Sequence, residues 1–388
     1  MSKPIPKTFI LKVASGCNLS CKYCYMYYRG DASILEKNDF MSMETLRNFL
    51  FRLNKYLDKY QPAKPSVAIH GGEPLLLGKA AMREVLRLMR DTLGRSVGIK
   101  IQTNGVLIDD EWVNLFANYD VVVGLSIDGP RNINDRWRLN NGGRSTFQKV
   151  LRAHKLLSHS AKMCDVSYGG IISVLDPRQD VSEFYNFFAR ELNVSNWHIL
   201  LPDVNHDNID IYNPFGNDEI SSFLIRLHDI WKYDPNRPSL KLFESVISLL
   251  AGGGSLSELL GVSGSQAVIV DVDGEYQCHD VLRMNEPTSS SFYVSTHDID
   301  EYIESDRFLL VSNKSWVPPD NLNCSRCPIW NVCRGGFVGY RYSQENGYNN
   351  ESVYCDVIRD LVSHVYFSSI SSSSALVPDS SGNRAHLL

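Results

Sequence analysis

The chain has 388 residues, of which 43% are hydrophobic and 21% charged, and its formal net charge is −5. This composition indicates a soluble globular protein of two to three domains. The sequence contains no secretory signal and no apolar run long enough to span a membrane. Without a basic tract, nucleic acid is not expected as a main partner. Nine cysteines in such a chain indicate thiols in a reducing compartment, so we expect a cytoplasmic protein.

Hydrophobic periodicity alternates between strands and helices over the first 205 residues. Strands are predicted at 8–13, 66–70, 98–103, 121–127, 166–173 and 197–201, and helices at 43–60, 80–93, 110–117, 146–160 and 181–192. The short connections predict parallel strands with right-handed crossovers. Six units fall short of the eight that close a barrel, so we predict an α/β fold with an open, partial (β/α)6 TIM-like barrel over 1–205.

The rest of the chain is predicted to form a helical bridge and a smaller second domain. Further helical patterns occur at 217–233, 241–250 and 353–367. We place the bridge at 206–265 and the second domain at 266–367, beginning with a β-hairpin whose turn is Asp273-Gly274. The serine-rich tail, 368–388, is expected to be disordered.

Cys17, Cys21 and Cys24 follow the first predicted strand in a C-x3-C-x2-C pattern. Three thiolates can hold an iron-sulfur cube and leave one iron open to another ligand. The loop also lies at a strand's carboxyl end, where barrel active sites are found. A zinc knuckle is the alternative, although zinc ribbons prefer paired C-x2-C units. The spacing therefore favours a catalytic cluster.

The next three strands also end in polar or glycine-containing turns. Gly-Gly-Glu-Pro occupies 71–74, Asn104 follows the third strand, and Ser126 lies at the end of the fourth. Glycines allow a ligand to approach the backbone, and Glu73 offers a carboxylate acceptor. Each motif alone would indicate only a turn. Their shared position at one rim predicts a ligand site.

Four late cysteines form a second group, at Cys324, Cys327, Cys333 and Cys355. Four thiolates could fully ligate either a second iron-sulfur cluster or zinc, and their chemistry alone does not separate the two. Cys164 and Cys278 lie apart from both groups. Lone cysteines are more often small buried hydrophobes than metal ligands.

The cysteine loop, with an aromatic residue at Tyr23, and the Gly-Gly-Glu-Pro turn resemble the signature of radical S-adenosylmethionine (SAM) enzymes. The resemblance implies a [4Fe-4S] cluster on the three loop cysteines, with the amino and carboxylate groups of S-adenosylmethionine on its open iron. The cofactor contacts it implies are Tyr23, Gly71, Gly72, Glu73, Asn104, Ser126 and Arg138. In that family the Gly-Gly-Glu segment meets the amino group, the Asn104 position lies near the ribose, and Ser126 and Arg138 face the carboxylate, which suits the planar guanidinium.

The late cysteines resemble the SPASM extension of peptide-modifying radical SAM enzymes, which in its seven-cysteine form holds two auxiliary clusters. This chain departs from that pattern, because Phe337 and the segment 262–265 stand where two ligands of the first auxiliary cluster are expected. The resemblance therefore implies that the first auxiliary cluster is absent and that the second, on the four late cysteines, remains. Two [4Fe-4S] clusters are expected in all, with Cys278 left as a buried thiol.

Segments 9–17, 24–27, 200–203 and 350–356 look like the cyclophane-forming radical SAM/SPASM peptide maturases. This resemblance implies hydrogen abstraction by the 5′-deoxyadenosyl radical from a side-chain β-carbon of a ribosomal precursor peptide with a leader, followed by crosslinking to an aromatic ring. An auxiliary cluster would accept the electron. A flavodoxin- or ferredoxin-type protein is the expected electron donor.

Residues 273–283 are expected to line the space of the missing cluster. Asp280 is our first candidate for the general base and His279 the second, since a partly desolvated carboxylate gains proton affinity. A cap or salt bridge from Asp280 to Arg283 is the structural alternative. Rival functions are a sulfatase-type maturase that forms formylglycine, a thioether-forming maturase, and a redox or zinc-binding scaffold without enzymatic activity.

Overall fold

The computed structural model describes residues 5–28, 37–163, 165–257, 259–261, 267–285, 290–314 and 322–374. Its strands are β1 (Thr8–Ala14), β2 (Leu19–Cys21), β3 (Ser66–Gly71), β4 (Gly98–Thr103), β5 (Val121–Ser126), β6 (Arg138–Asn140), β7 (Ser167–Val174), β8 (Asn196–Leu200), β9 (Ser239–Leu240), β10 (Val268–Val270) and β11 (Tyr276–Gln277). Predicted strand positions therefore hold across the first 205 residues, with ends that differ by a residue or so.

The helices alternate with these strands and then dominate the later part of the chain. They are α1 (Tyr25–Tyr28), α2 (Met43–Tyr60), α3 (Lys79–Leu93), α4 (Asp110–Asn118), α5 (Arg131–Trp137), α6 (Phe147–Lys162), α7 (Val181–Asn186), α8 (Ile209–Tyr212), α9 (Asn217–Tyr233), α10 (Lys241–Leu250), α11 (Ile299–Ile303), α12 (Asp306–Lys314), α13 (Leu322–Ser325), α14 (Trp330–Cys333) and α15 (Cys355–Ser374). A π-helical turn, Phe187–Glu191, continues α7. Short 3-10 turns occur at Pro74–Leu77, Asp280–Met284 and Val338–Arg341.

A nine-stranded sheet forms the centre of the molecule, in the order β11-β10-β1-β3-β4-β5-β7-β8-β9. The six barrel strands, β1, β3, β4, β5, β7 and β8, pair in parallel with their neighbours. The predicted α/β fold with six parallel strands is thus confirmed. All six carboxyl ends reach one rim, where the cysteine loop lies.

Local chemistry explains where the barrel helices begin and which face they bury. Ser42 accepts a hydrogen bond from the backbone N–H of Thr45 and caps α2, and Asp109 caps α4 in the same way. Along α2, apolar side chains at helical spacing turn toward the sheet and are buried, namely Leu46, Phe49, Leu50, Leu53 and Tyr56. This packing fixes the rim on which the site is built.

The β10–β11 hairpin joins the barrel sheet directly. Its strands are antiparallel, with Gly274 in the left-handed region at φ +89° in the turn, as the Asp-Gly pattern predicts. Strand β10 pairs in parallel with β1, so Phe9 lies opposite Val268. The second domain is predicted to begin at residue 266, and its first strands therefore belong to the same sheet as the barrel strands.

Helix α15 extends to Ser374, beyond the predicted end at Phe367, so the first residues of the tail that was expected to be disordered are helical. The remaining tail lies outside the described residues, as do Cys164 and the segment 262–266. No helix in the described part of the chain is long and apolar enough to cross a membrane.

Candidate active site

A cavity of about 310 Å³ opens at the carboxyl ends of the barrel strands. The three loop cysteines and every predicted cofactor contact line it, namely Cys17, Cys21, Cys24, Tyr23, Gly71, Gly72, Glu73, Asn104, Ser126 and Arg138. The opposite wall comes from the later part of the chain and includes His279, Phe337 and Tyr340. The fold thus gathers around one space residues that are far apart in sequence.

The cysteine loop presents its three thiols to this cavity. Cys17 Sγ accepts a hydrogen bond from the backbone N–H of Leu19 at 3.4 Å, and the Cys24 N–H donates to the Cys21 carbonyl at 2.9 Å. Burial raises the pKa of Cys17 to about 12 and that of Cys24 to about 11. Three partly buried thiols around one cavity match the donor set of a cluster with one open iron.

The Gly-Gly-Glu-Pro turn packs directly on the cysteine loop. The Gly72 N–H donates to the Ala14 carbonyl at 3.0 Å, and the Glu73 N–H donates to the Gly16 carbonyl at 2.9 Å. A Cβ on Gly72 would lie 2.1 Å from Tyr27 Oη and 2.3 Å from Gly16 O. Only glycine permits this approach, which brings the two loops together at the cavity.

Glu73 is buried beneath the cavity and its carboxylate accepts three hydrogen bonds. Oε1 accepts from the Leu75 N–H at 3.0 Å and from Thr103 Oγ1 at 2.7 Å, while Oε2 accepts from the Asn104 N–H at 2.8 Å. Burial raises its pKa despite these donors. One lone pair of Oε2 is left for a cationic ligand such as an amino group.

Side-chain hydrogen bonds also order the rim between β4 and β5. Asn104 Nδ2 donates to Asn18 Oδ1 at 2.7 Å, and Gln102 Nε2 donates to Ser126 Oγ at 3.0 Å. These links hold Asn104 against the cysteine loop and Ser126 against the end of β4. Both side chains therefore face the cavity in fixed positions.

Asp128 completes a buried triad that the sequence did not single out. Tyr23 Oη donates to Asp128 Oδ2 at 2.6 Å, and Arg138 Nη1 donates to Tyr23 Oη at 2.6 Å. The two-stranded sheet of β2 and β6 brings Arg138 opposite Cys21. Asp128 follows β5 in Ser-Ile-Asp-Gly, so its strand-end position was the available signal.

The far wall carries the candidate proton acceptors. The His279 ring lies 4.6 Å from the Phe337 ring, and Tyr340 Oη donates to Asp203 Oδ1 at 3.4 Å. His279 and Asp203 both line the cavity. The side chain of Asp280 lies outside the described part of the structure. Arg283, its alternative partner, pairs with Asp271 at 3.0 Å.

Cys278 and Phe337, which bear on the expected absence of the first auxiliary cluster, both lie in a packed part of the described residues. Tyr302 Oη donates to Cys278 Sγ at 3.2 Å, and Cys278 is buried. Phe337 packs edge-on against Tyr340, with ring centroids 5.2 Å apart.

The four late cysteines line a second cavity of about 610 Å³. Cys355 is the first residue of α15, where the helix dipole favours a thiolate. Burial raises the pKa of Cys333 and of Cys355 to about 12. The buried Arg341 guanidinium interacts electrostatically with Cys324 and Cys333. Four thiols around one cavity, with a buried positive charge beside them, fit a cysteine-ligated cluster.

Comparisons with known proteins agree with this geometry. The cysteine-type anaerobic sulfatase-maturating enzyme of Clostridium perfringens strain 13 is 26% identical over 370 residues, which cover 93% of this chain and 96% of that enzyme. A structure of native anSMEcpe with bound AdoMet and Kp18Cys peptide has a TM-score of 0.79 at 24% identity, covering 95% of this chain and 99% of that chain. Streptococcus suis SuiB bound to precursor peptide SuiA has a TM-score of 0.60 at 14% identity, covering 91% of this chain and 76% of that chain.

The two structural matches are below 25% identity and establish the fold rather than the reaction. A family model described as the Radical SAM superfamily matches residues 11–186, which contain the cysteine loop and all seven predicted cofactor contacts. This model therefore covers 45% of the chain and includes the part that builds the cysteine-loop side of the cavity.

Proposed function

We propose that the chain is a radical SAM enzyme that modifies a ribosomally made precursor peptide. The observation that carries this is the cavity in which three thiols and the predicted cofactor contacts face a second wall from the later part of the chain. When bound, the cluster and S-adenosylmethionine would supply a radical that abstracts a hydrogen atom. The anSMEcpe and SuiB structures with bound peptides support a peptide as the substrate class.

We further propose that the product is a crosslink between a side-chain β-carbon and an aromatic ring, as in a cyclophane. Forming this bond removes two hydrogen atoms from the peptide. One leaves as the abstracted hydrogen atom, and the other leaves as a proton and an electron. One auxiliary cluster, on Cys324, Cys327, Cys333 and Cys355, would accept the electron. The Tyr302–Cys278 hydrogen bond and the packing of Phe337 support a chain that lacks the other auxiliary cluster.

A proton acceptor is needed when the ring regains aromaticity. His279 lines the cavity, and its Nδ1 accepts a long 3.5 Å contact from the Val281 N–H. Asp280 is the adjacent candidate. We test two variants, His279→Gln and Asp280→Asn. The variant that removes the base should retain S-adenosylmethionine cleavage and lose most of the crosslinked product. The control is His206→Gln, outside this cavity, and a normal product yield from both test variants would exclude both residues as the base.

A sulfatase-type maturase is the second candidate, and the similarity to the Clostridium perfringens enzyme over nearly the whole chain favours it. Thioether formation would instead need a cysteine in the peptide. The products are chemically distinct, because a crosslink removes only two hydrogen atoms, whereas formylglycine from cysteine also replaces sulfur with oxygen.

The test is anaerobic turnover followed by tandem mass spectrometry of two peptide classes. One class is precursor peptides with aromatic residues, and the other is the Kp18Cys peptide of the anSMEcpe structure. A two-hydrogen loss, with fragmentation suppressed between the joined residues, supports the crosslink. Formylglycine on Kp18Cys without crosslinking would overturn it in favour of the sulfatase-type reaction. A flavodoxin- or ferredoxin-type protein in the cytoplasm is the electron donor we propose.

A further inference from the structure

Two histidines and one aspartate converge between α9 and α15, away from both thiol cavities. His228 and Asp229 lie on α9, His364 lies on α15, and one ligand atom from each falls within 4.8 Å of the others. Asp229 Oδ1 is 2.7 Å from His364 Nε2 and 3.7 Å from His228 Nδ1. This cluster joins the bridging helix to the last described helix of the chain.

His228 points a buried nitrogen into this cluster. Its side chain is 2% exposed, and Nδ1 has no hydrogen-bond partner among the described residues. The ring is held edge-on against Phe243 at 5.1 Å and against the His364 ring at 5.3 Å, each at 89°. Buried polar atoms nearly always have a partner, so this nitrogen calls for a ligand that no described side chain supplies.

One cationic side chain lies near this cluster and is directed to a backbone oxygen. The nearby positive charge, Lys232, donates to the Ser368 carbonyl at 2.6 Å. That contact directs the ammonium toward a backbone oxygen at the same helix interface.

We propose that His228, Asp229 and His364 form a binding site for a divalent metal ion of the zinc type. Two imidazoles and one carboxylate are a common zinc ligand set, and the fourth position would be filled by water. Asp229 and His364 are partly exposed, with 46% and 25% of their side chains accessible, so ion and water can enter from solvent. With zinc–ligand bonds of about 2.0–2.1 Å, tetrahedral ligand atoms lie about 3.3 Å apart, close to the 2.7 Å and 3.7 Å that separate Asp229 Oδ1 from the two histidine nitrogens.

The bound ion would tie α9 to α15 and so fix the bridging segment against the closing helix. The competing explanation is a helix contact made by the Asp229–His364 hydrogen bond alone. Only the metal site requires His228 as a ligand and predicts stoichiometric metal held by nitrogen and oxygen. Neither explanation depends on the reaction proposed for the barrel cavity.

The experiment uses the full chain with its iron-sulfur clusters reconstituted, so that the cysteines are occupied. After zinc addition and desalting, we expect zinc analysis to give about one more zinc per chain in the wild type than in His364→Gln or Asp229→Asn. His159→Gln, an exposed histidine on α6, is the matched control and should keep the wild-type zinc content.

Zinc-edge X-ray absorption supplies the second readout. We expect only nitrogen and oxygen ligands at about 2.0–2.1 Å, without sulfur at about 2.3 Å. Equal zinc content in wild type and variants, or sulfur ligation, would overturn the proposal. Iron content and circular dichroism verify that each variant is folded. If one variant fails to fold, the other provides the comparison.

Discussion

Tyr23 links two buried charged residues of the candidate site through its hydroxyl group. It donates to Asp128 and accepts from Arg138, and the Asp128 Oδ1–Arg138 Nη1 distance is 3.9 Å. Burial raises the pKa of Asp128. One phenol thus satisfies two buried charged groups at the base of the cavity.

We expect Tyr23→Phe to destabilise the folded chain by about 1–3 kcal/mol, because two buried polar atoms lose a partner. Equilibrium unfolding under anaerobic conditions measures this. Tyr233→Phe is the control, since Tyr233 is 75% exposed and should change little. Equal free energies of unfolding for the two variants would mean that Asp128 and Arg138 pair directly without a loss of stability.

Arg341 is a buried charged residue beside the second cysteine group, Cys324, Cys327, Cys333 and Cys355. Its guanidinium is fully buried, and its Nε donates to the Asn350 carbonyl at 3.0 Å. A buried positive charge beside a cluster stabilises the more negative, reduced form. We expect Arg341→Gln to lower that cluster's reduction potential by roughly tens of millivolts. Potentiometric titration tests this, with Arg87→Gln, at an exposed arginine on α3, as control. An unchanged potential in the Arg341 variant would count against the electrostatic role.

At the scale of elements, the candidate site depends on the close packing of the Gly-Gly-Glu-Pro turn on the cysteine loop, with no side chain of Gly72 between them. Gly72 lies against Gly16 and Tyr27, so a methyl group there would push the turn away from the cysteine loop. Tyr27 Oη also donates to the Ser15 carbonyl and holds the loop's far side. Cluster binding and cofactor binding are therefore coupled through backbone packing.

Gly72→Ala should therefore reduce both iron retention and S-adenosylmethionine binding by about tenfold or more, since the clash is with backbone atoms. Iron content after desalting and equilibrium dialysis measure the two effects. The matched control is Gly216→Ala, where a Cβ meets nothing within 4 Å. Wild-type binding by the Gly72 variant would show that the loops can separate without harm.

Helix α6 is fastened to the sheet by a buried histidine. His154 contacts Tyr168 Oη at 2.9 Å and the Leu192 carbonyl at 2.8 Å, and burial, with a smaller effect from Lys155, lowers its pKa. The unfolded chain then takes up the proton first as pH falls. Stability is thus full above about pH 6.5 and declines below it, toward the folded-state pKa.

His154→Gln should flatten this acid-side decline, by about 1.4 kcal/mol for each unit by which the pKa is lowered. Unfolding free energies measured above and below about pH 6.5 test it. His159→Gln, on the exposed side of the same helix, should keep the wild-type slope. An unchanged slope in the His154 variant would assign the acid sensitivity to other groups.

Across the whole molecule, features with local causes were predictable. Helical periodicity placed α2 and α9, and the apolar runs placed all six barrel strands. The pairing of β10 with β1 was not predicted, because edge pairing between distant segments leaves no local pattern. The same holds for the short strands that bring Arg138 to Cys21.

The residues of the candidate site also divide into those that local patterns predicted and those that they did not. Cysteine spacing and strand-end motifs led to the three loop cysteines, Glu73, Asn104 and Ser126, which line the cavity from one rim. Tyr23 and Arg138 were predicted only from the family resemblance. Asp128 was missed because its strand-end position alone does not distinguish it from an ordinary turn residue, and its partner Tyr23 lies 105 residues away in the sequence. The His228, Asp229 and His364 cluster likewise arises only when two helices pack.

Anaerobic reconstitution with iron and sulfide, followed by iron counting and assay of S-adenosylmethionine cleavage, tests the central claim most directly. The wild type should hold about eight irons per chain, and a Cys17/Cys21/Cys24→Ala variant about four, with cleavage lost. About twelve irons would contradict the two-cluster account and favour the sulfatase-type reading. About four irons in the wild type, or zinc on the late cysteines, would show that those cysteines do not hold a cluster.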